Sequence, residues 1–282
     1  MTFDSRVTPF RPDLADERLR GQVEAERYTA GTVMRVAAPY VSLHRHPSRE
    51  APVDTQAIMG ERVTVYDEHE GWSWVQLHDD GYVGYLPTAA LDAQGPEPTH
   101  RVSAVRTFVY PGPNLKLPHT DWLTLNSKVT VTDRQGDYAR LATGGWIFAA
   151  HLSDLETFET DYVAVAERFL HTPYLWGGKT SIGLDCSGLT QTVLAATGIK
   201  APRDTDMQEQ EVGTAIEVKP DLAGLRRGDL VFWKGHVGLM LDETRLIHAT
   251  GHTMTVYVEP LSVAEERIRT RSYGPISAIQ RL

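Results

Sequence analysis

The sequence almost lacks cysteine, because its 282 residues contain only one, Cys186. A single cysteine excludes a disulfide within the chain and any zinc site built from several cysteines. We therefore expect no metal and no other cofactor. A lone cysteine is most often a buried apolar filler, so a reactive role for Cys186 has to be argued from its neighbours.

Long apolar runs are missing as well. The N-terminal residues mix charges with prolines and contain no stretch typical of a secretory signal or a membrane span. Unless a signal has been removed, we expect a cytoplasmic protein that does not bind a membrane. A thiol stays reduced in that compartment.

Basic clusters are the third absence. The chain has 28 Lys and Arg against 37 Asp and Glu, a net charge of −9, and no patch that could follow a phosphate backbone. This pattern argues against nucleic acid as a partner. The hydrophobic fraction of 41% is typical of a folded globular protein, and the length predicts two or three domains.

Residues 30 to 160 have the alternating pattern of short strands separated by turns. Two halves of this region resemble each other, since each contains a V-T-V segment, at Val63–Val65 and Val129–Val131, followed by a glycine-aromatic segment. A repeat of about 65 residues predicts two small β-barrels in tandem. We place them at 30–92 and 99–157, joined by the polar linker 92–98 and preceded by an extension, 1–29.

From residue 160 onward the pattern changes to mixed helix and strand. Helices are predicted from Asp161 to Leu170 and from Asp185 to Gly198. Predicted strands follow at Asp229 to Trp233, Val237 to Leu241, Arg245 to Ala249 and Ile276 to Leu282. Helices followed by a run of strands indicate an α+β domain with an antiparallel sheet over residues 160–282.

Cys186 falls in the first turn of the second predicted helix. Unpaired backbone N–H groups and the positive end of the helix dipole favour a thiolate at this position. The same N–H groups could hold the oxyanion of a tetrahedral intermediate. Tyr174 is either a further donor to that oxyanion or an ordinary packing residue. Gly177 and Gly178 beside it form a tight turn, since no P-loop spacing follows.

Two histidines could exchange protons with the thiol. His236 begins a predicted strand, and His248 lies twelve residues later in the neighbouring predicted strand. Antiparallel pairing would bring His248 close to His236, where it could orient the ring. The alternative is that both are core histidines. His44 and His46 could form half of a metal site, but we interpret them as part of a solvated loop because no partner motif follows.

Five segments resemble the NlpC/P60 family of papain-like peptidases when taken in this order: P-Y-L-W-G-G, D-C-S-G-L, R-G-D-L-V-F-W, G-H-V-G-L-M and L-I-H-A-T. The resemblance covers residues 160–282. It implies a papain-like catalytic domain in which Cys186 is the nucleophile, His236 the base and His248 the polar third member. The two predicted barrels resemble bacterial SH3 domains.

The whole arrangement is similar to the γ-D-glutamyl-L-diamino acid endopeptidases of this family. That resemblance implies hydrolysis of the D-Glu to diamino acid bond in murein peptides with a free N-terminal L-Ala, as a step of cell-wall peptide recycling. It implies substrate contacts from Asp185, Ser187 and Asp204, and contacts from Tyr82 and Asp54 to the amino terminus of the peptide. The family usually has Glu where this chain has Asp54.

Two other functions fit the same motifs. The chain could bind cell-wall peptides with little turnover, since SH3-like barrels commonly serve as binding modules. It could also be another amidase or an acyltransferase on the same scaffold. The preferred diamino acid does not follow from the sequence. We expect the protein to act as a monomer.

Overall fold

The computed structural model describes residues 3–93 and 95–282. These residues form two compact units with the division between Thr157 and Phe158. The predicted linker 92–98 contains Gln94, which lies outside the described residues. The predicted domain boundaries stay predictions.

The first unit consists of short strands and three single-turn 3₁₀ helices. The 3₁₀ helices are Glu17–Leu19, Thr88–Ala90 and Ala149–His151. The strands are β1 (Phe10–Arg11), β2 (Leu14–Asp16), β3 (Arg27–Thr29), β4 (Thr32–Val36), β5 (Tyr40–His44), β6 (Val53–Ile58), β7 (Arg62–His69), β8 (Trp72–Leu77), β9 (Val83–Pro87), β10 (Leu91–Asp92), β11 (His100–Val102), β12 (Arg106–Val109), β13 (Asp121–Thr124), β14 (Lys128–Val129), β15 (Val131–Gln135), β16 (Tyr138–Leu141), β17 (Trp146–Phe148) and β18 (Leu152–Asp154).

The N-terminal extension folds onto the first barrel. Strands β1, β2 and β3 form a small sheet, and Leu14 packs against Tyr66 and Trp74 of the barrel. The buried carboxylate of Asp16 accepts a hydrogen bond of 2.6 Å from the Tyr66 hydroxyl. Because a buried carboxylate needs such partners, this contact fixes where the extension lies on the barrel.

Strands β4 to β10 form one seven-stranded sheet in the order β10-β4-β7-β8-β9-β5-β6. Alternation places apolar side chains of each strand on one face, and these pack into a single core. The first V-T-V segment lies in β7, as expected for a strand of this barrel.

The second half of the unit is built from smaller sheets, β14-β11-β18, β12-β13 and β15-β16-β17, around a core that includes Val102, Leu123 and Ile147. Both halves end alike, with a 3₁₀ turn followed by a strand, β10 or β18. The second V-T-V segment differs from the first because it is split between β14 and β15 at Thr130. At this break between the strands, the Thr130 hydroxyl donates to the Glu97 carbonyl at 2.9 Å.

The second unit has four helices and eight strands among its described residues. They are α1 (Tyr162–Glu167), β19 (Lys179–Thr180), β20 (Gly183–Leu184), α2 (Cys186–Ala196), α3 (Thr205–Glu211), β21 (Thr214–Ile216), β22 (Leu230–Trp233), β23 (His236–Met240), β24 (Arg245–Thr250), β25 (Thr255–Pro260), α4 (Leu261–Arg271) and β26 (Ala278–Arg281). The predicted helices and strands of this region are present, with ends that differ by a few residues.

A six-stranded antiparallel sheet, in the order β21-β26-β22-β23-β24-β25, organises the second unit. Helix α2 packs against β23 and β24. The predicted α+β architecture with an antiparallel sheet is therefore confirmed. Helices α3 and α4 and strands β19, β20, β21 and β25 were not predicted. Within the described residues, no helix combines the length and apolar character needed to span a bilayer.

Candidate active site

The nucleophile candidate sits where the sequence predicts it, at the first residue of α2. Asp185 caps this helix, because its carboxylate accepts from the Gly188 backbone N–H at 2.7 Å. Cys186 is buried, with 7% of its surface exposed. The backbone N–H groups of Ser187 and Val237 act on its sulfur in the direction that lowers the pKa of the thiol. The Thr205 hydroxyl lies 3.8 Å from the sulfur.

Asp185 does more than cap the helix. Arg203, which is 1% exposed, donates to both of its carboxylate oxygens at 3.0 and 2.7 Å. The backbone N–H of Gly177 donates to the same carboxylate at 2.8 Å. This ion pair therefore joins the start of α2 to the glycine turn and to the segment before α3. The positive partner of Asp185 is thus a side chain of the chain itself.

Two further substrate contacts, Ser187 and Asp204, are predicted near Asp185 in the chain. Ser187 is buried, donates to Asp185 at 3.3 Å and accepts from Arg203 at 2.8 Å. Asp204 is half-buried and directly precedes α3. The roles that the resemblance gives to Asp185, Ser187 and Asp204 in substrate binding stay predictions.

The two histidines are brought together by strand pairing. Leu239 pairs with Ile247 in the β23–β24 ladder, and this register places His236 and His248 diagonally on one face of the sheet. A hydrogen bond of 2.8 Å joins His236 Nε2 to His248 Nδ1. The proximity predicted from the turn between the two strands is therefore present, and His236 Nδ1 makes no hydrogen bond to any residue that the structure describes.

Behind His248 lies an ion pair that sequence reasoning missed. His248 Nε2 is 2.9 Å from Glu259 Oε1, and Arg267 donates to Glu259 Oε2 at 2.6 Å. Tyr257 pairs with His248 in the β24–β25 ladder, so Glu259 is the diagonal neighbour of His248 on the same face. Strand alternation through β25 could have placed Glu259 facing inward, but neither β25 nor α4 was recognised.

Burial controls the ionisation of the reactive groups. Desolvation, with the charge of Asp185 adding to it, raises the pKa of Cys186 to about 11. Desolvation also lowers the pKa of His236 well below its ordinary value and lowers that of His248. The start of α2 favours the expected thiolate, whereas desolvation acts against it and favours a thiol beside neutral imidazoles near neutral pH.

Two tyrosines lie near the sulfur. The pKa of Tyr174 is raised, chiefly by desolvation and then by the negative charges that Cys186 and Asp185 can carry. The pKa of Tyr273 is raised by desolvation and by Cys186. The Tyr273 ring stacks on His236 with 6.1 Å between ring centroids and 3° between planes. The oxyanion role of Tyr174 stays a prediction, and Tyr273 has no counterpart among the sequence predictions.

The remaining predicted residues belong to the first unit. Tyr82 is buried in the core of the first barrel, and its backbone N–H donates to Asp80 at 3.0 Å. Asp54 lies in β6 and forms an ion pair of 3.2 Å with Arg45. Both residues lie within the first unit, and their contacts with a peptide stay predictions.

His44 does not lie in a solvated loop, so that interpretation is wrong for this residue. It is 7% exposed in β5, and its Nδ1 donates to the Ala51 carbonyl at 2.9 Å. His46 is exposed. No group of three metal-ligating side chains occurs among residues 3–93 and 95–282.

A cysteine at a helix start, two linked histidines on an adjoining antiparallel sheet and hydrogen-bond donors at the sulfur define a cysteine peptidase of papain-like architecture. Residues 171–271 match the model of the NlpC/P60 family, and residues 43–91 match that of the bacterial dipeptidyl-peptidase SH3 domain. The chain therefore contains an NlpC/P60 domain and, before it, a bacterial SH3-type domain.

Two relatives are similar over most of their length. A γ-D-glutamyl-L-lysine dipeptidyl-peptidase of Bacillus cereus is 29% identical over 79% of this chain and 76% of the relative. A Bacillus subtilis protein of the same name is 26% identical over 77% and 79%. The crystal structure of an NlpC/P60 family protein from Bacillus cereus, 21% identical, superposes with a TM-score of 0.73 over 89% of this chain and 99% of that one. This last comparison confirms the predicted fold.

Proposed function

We propose that this chain hydrolyses the bond between the γ-carboxyl of D-Glu and a diamino acid in murein peptides that begin with a free L-Ala. The observation that carries the proposal is the hydrogen-bonded pair His236–His248 on the sheet that adjoins Cys186. Support for the bond comes from the two relatives named for γ-D-glutamyl-L-lysine, which match over about three quarters of their length.

The chemistry can be written from the protonation states of the site. Because Cys186 rests as a thiol, His236 takes its proton as the sulfur attacks the γ-amide carbon. In the proposed reaction, backbone N–H groups at the start of α2 and the Tyr174 hydroxyl bind the oxyanion. The imidazolium of His236 then protonates the leaving amine. Water hydrolyses the thioester, and L-Ala-D-Glu leaves with its γ-carboxyl free.

The requirement for a free amino terminus is the finer part of the proposal. It rests on the resemblance at Tyr82 and Asp54 and on the match of residues 43–91 to the SH3 domain of bacterial dipeptidyl-peptidases. Asp54 is 14% exposed at its side chain and is paired with Arg45, so a peptide ammonium group would share this carboxylate with the guanidinium.

The cellular setting is also proposed. A peptidase restricted to short peptides with a free L-Ala acts after larger wall fragments have been cut, which places it in murein peptide recycling. We propose that it works in the cytoplasm as a monomer, without a membrane or nucleic-acid partner. The reduced thiol that the chemistry needs is consistent with that compartment.

Purified full-length protein tests the proposal with L-Ala-γ-D-Glu-L-Lys, the same peptide with meso-diaminopimelate, and the N-acetylated form of each. We expect release of L-Ala-D-Glu from the free peptides, detected by mass spectrometry, and at least about a hundredfold lower kcat/KM for the acetylated ones. A Cys186→Ala variant is the matched control and should release nothing.

Three results would contradict parts of the proposal. Equal cleavage of free and acetylated peptides removes the amino-terminal requirement. Cleavage of an α-linked glutamyl peptide at the same rate removes the γ-bond specificity. Tight binding of the free peptide by both the parent and Cys186→Ala, with no product from either, points instead to a binding protein.

A further inference from the structure

We infer that Glu259 is a positioning residue. It fixes the tautomer of His248, and His248 in turn fixes that of His236, so that the unprotonated nitrogen of His236 is Nδ1. The inference rests on the peptidase chemistry of Cys186 but not on which peptide is cleaved. It follows from three consecutive hydrogen bonds, His236–His248, His248–Glu259 and Glu259–Arg267, all within the second unit.

The first step is the ionisation of Glu259. Its side chain is 6% exposed, and Arg267 donates to both carboxylate oxygens. The hydrogen bonds from Arg267 and His248 outweigh desolvation and lower the pKa of Glu259 to about 2. An ionised carboxylate has only acceptor positions, so the nitrogen that faces it must carry a proton. His248 is therefore protonated at Nε2.

The second step passes this constraint to His236. His248 is fully buried, and its lowered pKa keeps it neutral near pH 7. A neutral imidazole with a proton on Nε2 has a lone pair on Nδ1. That lone pair accepts from His236 Nε2–H across 2.8 Å. Since His236 is also neutral, its Nδ1 holds the remaining lone pair and can take the thiol proton.

Arg267 has a separate part in this arrangement. Its guanidinium carries only donors, and both carboxylate oxygens of Glu259 accept from it. It also compensates the buried carboxylate, which limits the tendency of Glu259 to draw a second proton onto His248. The ion pair thereby keeps both rings neutral while it fixes their orientation.

The test replaces Glu259 with leucine. Arg267 donates to both carboxylate oxygens, so an amide at this position would meet an Arg267 N–H in either orientation, whereas leucine simply removes the acceptor. Without an acceptor at His248 Nε2, nothing holds the proton of His248 on that nitrogen, and His236 loses its fixed tautomer in turn. We expect kcat/KM to fall by about 10² to 10⁴, as when a catalytic histidine loses the tautomer that its partner carboxylate sets in serine proteases.

The decisive readout is ¹⁵N NMR of the histidine rings, with His236 and His248 assigned by single substitution. In the parent protein at pH 7.5 we expect both rings protonated at Nε2, and in Glu259→Leu we expect both rings to lose that preference and to populate the form protonated at Nδ1. The double variant Glu259→Gln/Arg267→Met supplies an amide oxygen that is free to turn toward His248. It should keep the parent tautomers and have a kcat/KM at least about tenfold above that of Glu259→Leu.

Asp242→Asn is the matched control. Asp242 is paired with Arg245 at the turn between β23 and β24, the two strands that carry the histidines. This change therefore also removes a carboxylate–arginine pair, but it leaves the hydrogen bonds from His236 to Arg267 intact. We expect parent activity and parent tautomers from it.

Parent rings protonated at Nδ1 would overturn the inference, and so would unchanged tautomers in a folded Glu259→Leu protein. If that variant does not fold, the parent spectrum alone decides. The spectra require no substrate, so an error in the proposed peptide leaves this test intact.

Discussion

Two carboxylate–arginine pairs serve the reaction centre of the second unit. The helix-side pair, Asp185 with Arg203, caps and anchors the helix that carries Cys186. The sheet-side pair, Glu259 with Arg267, contacts the ring of His248. Both carboxylates are buried, and each accepts from its arginine at both oxygens, yet their other partners differ in kind.

The difference lies in what the carboxylates touch. Asp185 accepts from groups that do not titrate near neutral pH, namely backbone N–H groups, a hydroxyl and a guanidinium. Glu259 contacts an imidazole that can gain or lose a proton. The helix-side pair therefore fixes atomic positions, whereas the sheet-side pair fixes the positions of protons. Changes on the first side should mainly cost stability, and changes on the second should mainly cost turnover.

The largest effect on stability is expected from Arg203→Met. Arg203 is 1% exposed, so its loss leaves the Asp185 carboxylate buried and uncompensated. We expect a loss of about 3–5 kcal/mol in the free energy of opening around Cys186. The measurement is the urea dependence of Cys186 labelling by a thiol reagent, which reports locally because the chain has one cysteine.

Arg267→Met is the matched comparison on the sheet side. Arg267 is 15% exposed at its side chain, and Glu259 keeps His248 as a donor after the change. We expect a loss of about 1–2 kcal/mol in the same labelling experiment. Equal losses for the two arginine variants would contradict the division between a structural pair and a proton-positioning pair.

The second prediction concerns the pH dependence of thiol alkylation in the absence of peptide. Desolvation raises the pKa of Cys186 to about 11, so the thiolate fraction increases throughout the alkaline range. We expect the rate of reaction with iodoacetamide to rise about tenfold per pH unit from pH 7 to pH 10. A stopped-flow or mass-spectrometric time course measures it.

A resting thiolate–imidazolium pair would give a different profile. Its alkylation rate would reach a plateau by about pH 6 and stay level up to pH 9. Such a plateau would show that the dipole of α2 outweighs burial. The control is free cysteine under the same conditions, whose rate should level off above its ordinary pKa of about 8.5.

A third prediction tests how tightly the helix side is built. A Cβ added to Gly188 would lie 2.0 Å from the carbonyl oxygen of Gly178, which is backbone and cannot rotate away. Gly→Ala inside a helix ordinarily stabilises by about 0.5–1 kcal/mol. Here we expect Gly188→Ala to destabilise by about 2–3 kcal/mol in the labelling experiment, because α2 must shift.

Gly251→Ala provides the control, since nothing lies within 4 Å of the added carbon and its φ is outside the left-handed region. We expect it to change stability by less than about 0.5 kcal/mol. A stabilising effect of Gly188→Ala would mean that α2 is free to move away from the glycine turn.

Sequence reasoning found the parts of the site that have a local signature. The start of a helix identifies Cys186, and two strands joined by a short turn bring His236 close to His248. Sequence spacing is therefore enough to predict these positions. The parts that it missed depend on pairing between distant segments. Arg203 meets Asp185 from 18 residues away, and no periodic pattern predicts which arginine becomes buried beside which carboxylate.

Other omissions had a usable signal. Leu261, Ala264 and Ile268 are spaced as the buried face of a helix, and all three are buried in α4. With α4 and β25 recognised, strand alternation would have placed Glu259 inward. The protonation state of Cys186 had no such signal, since the dipole favours a thiolate and only the packed structure shows how completely the sulfur is removed from water.

The smallest predicted effect comes from Tyr273, whose ring stacks on His236 on the sheet side. Desolvation is the main cause of the lowered pKa of His236, and Tyr273→Ala admits water to one face of the imidazole. Water favours the protonated form, so the pKa of His236 should rise toward 6.5. The base form is required for turnover, so the acid limb of the kcat/KM profile should move to higher pH, by less than about one unit. Tyr273→Phe retains the ring and should leave the limb in place. If both variants move the limb equally, the Tyr273 hydroxyl rather than desolvation controls the pKa of His236. Proton positions on the sheet side would then depend on Tyr273 as well as on the hydrogen bonds that link His236 through His248 to Glu259.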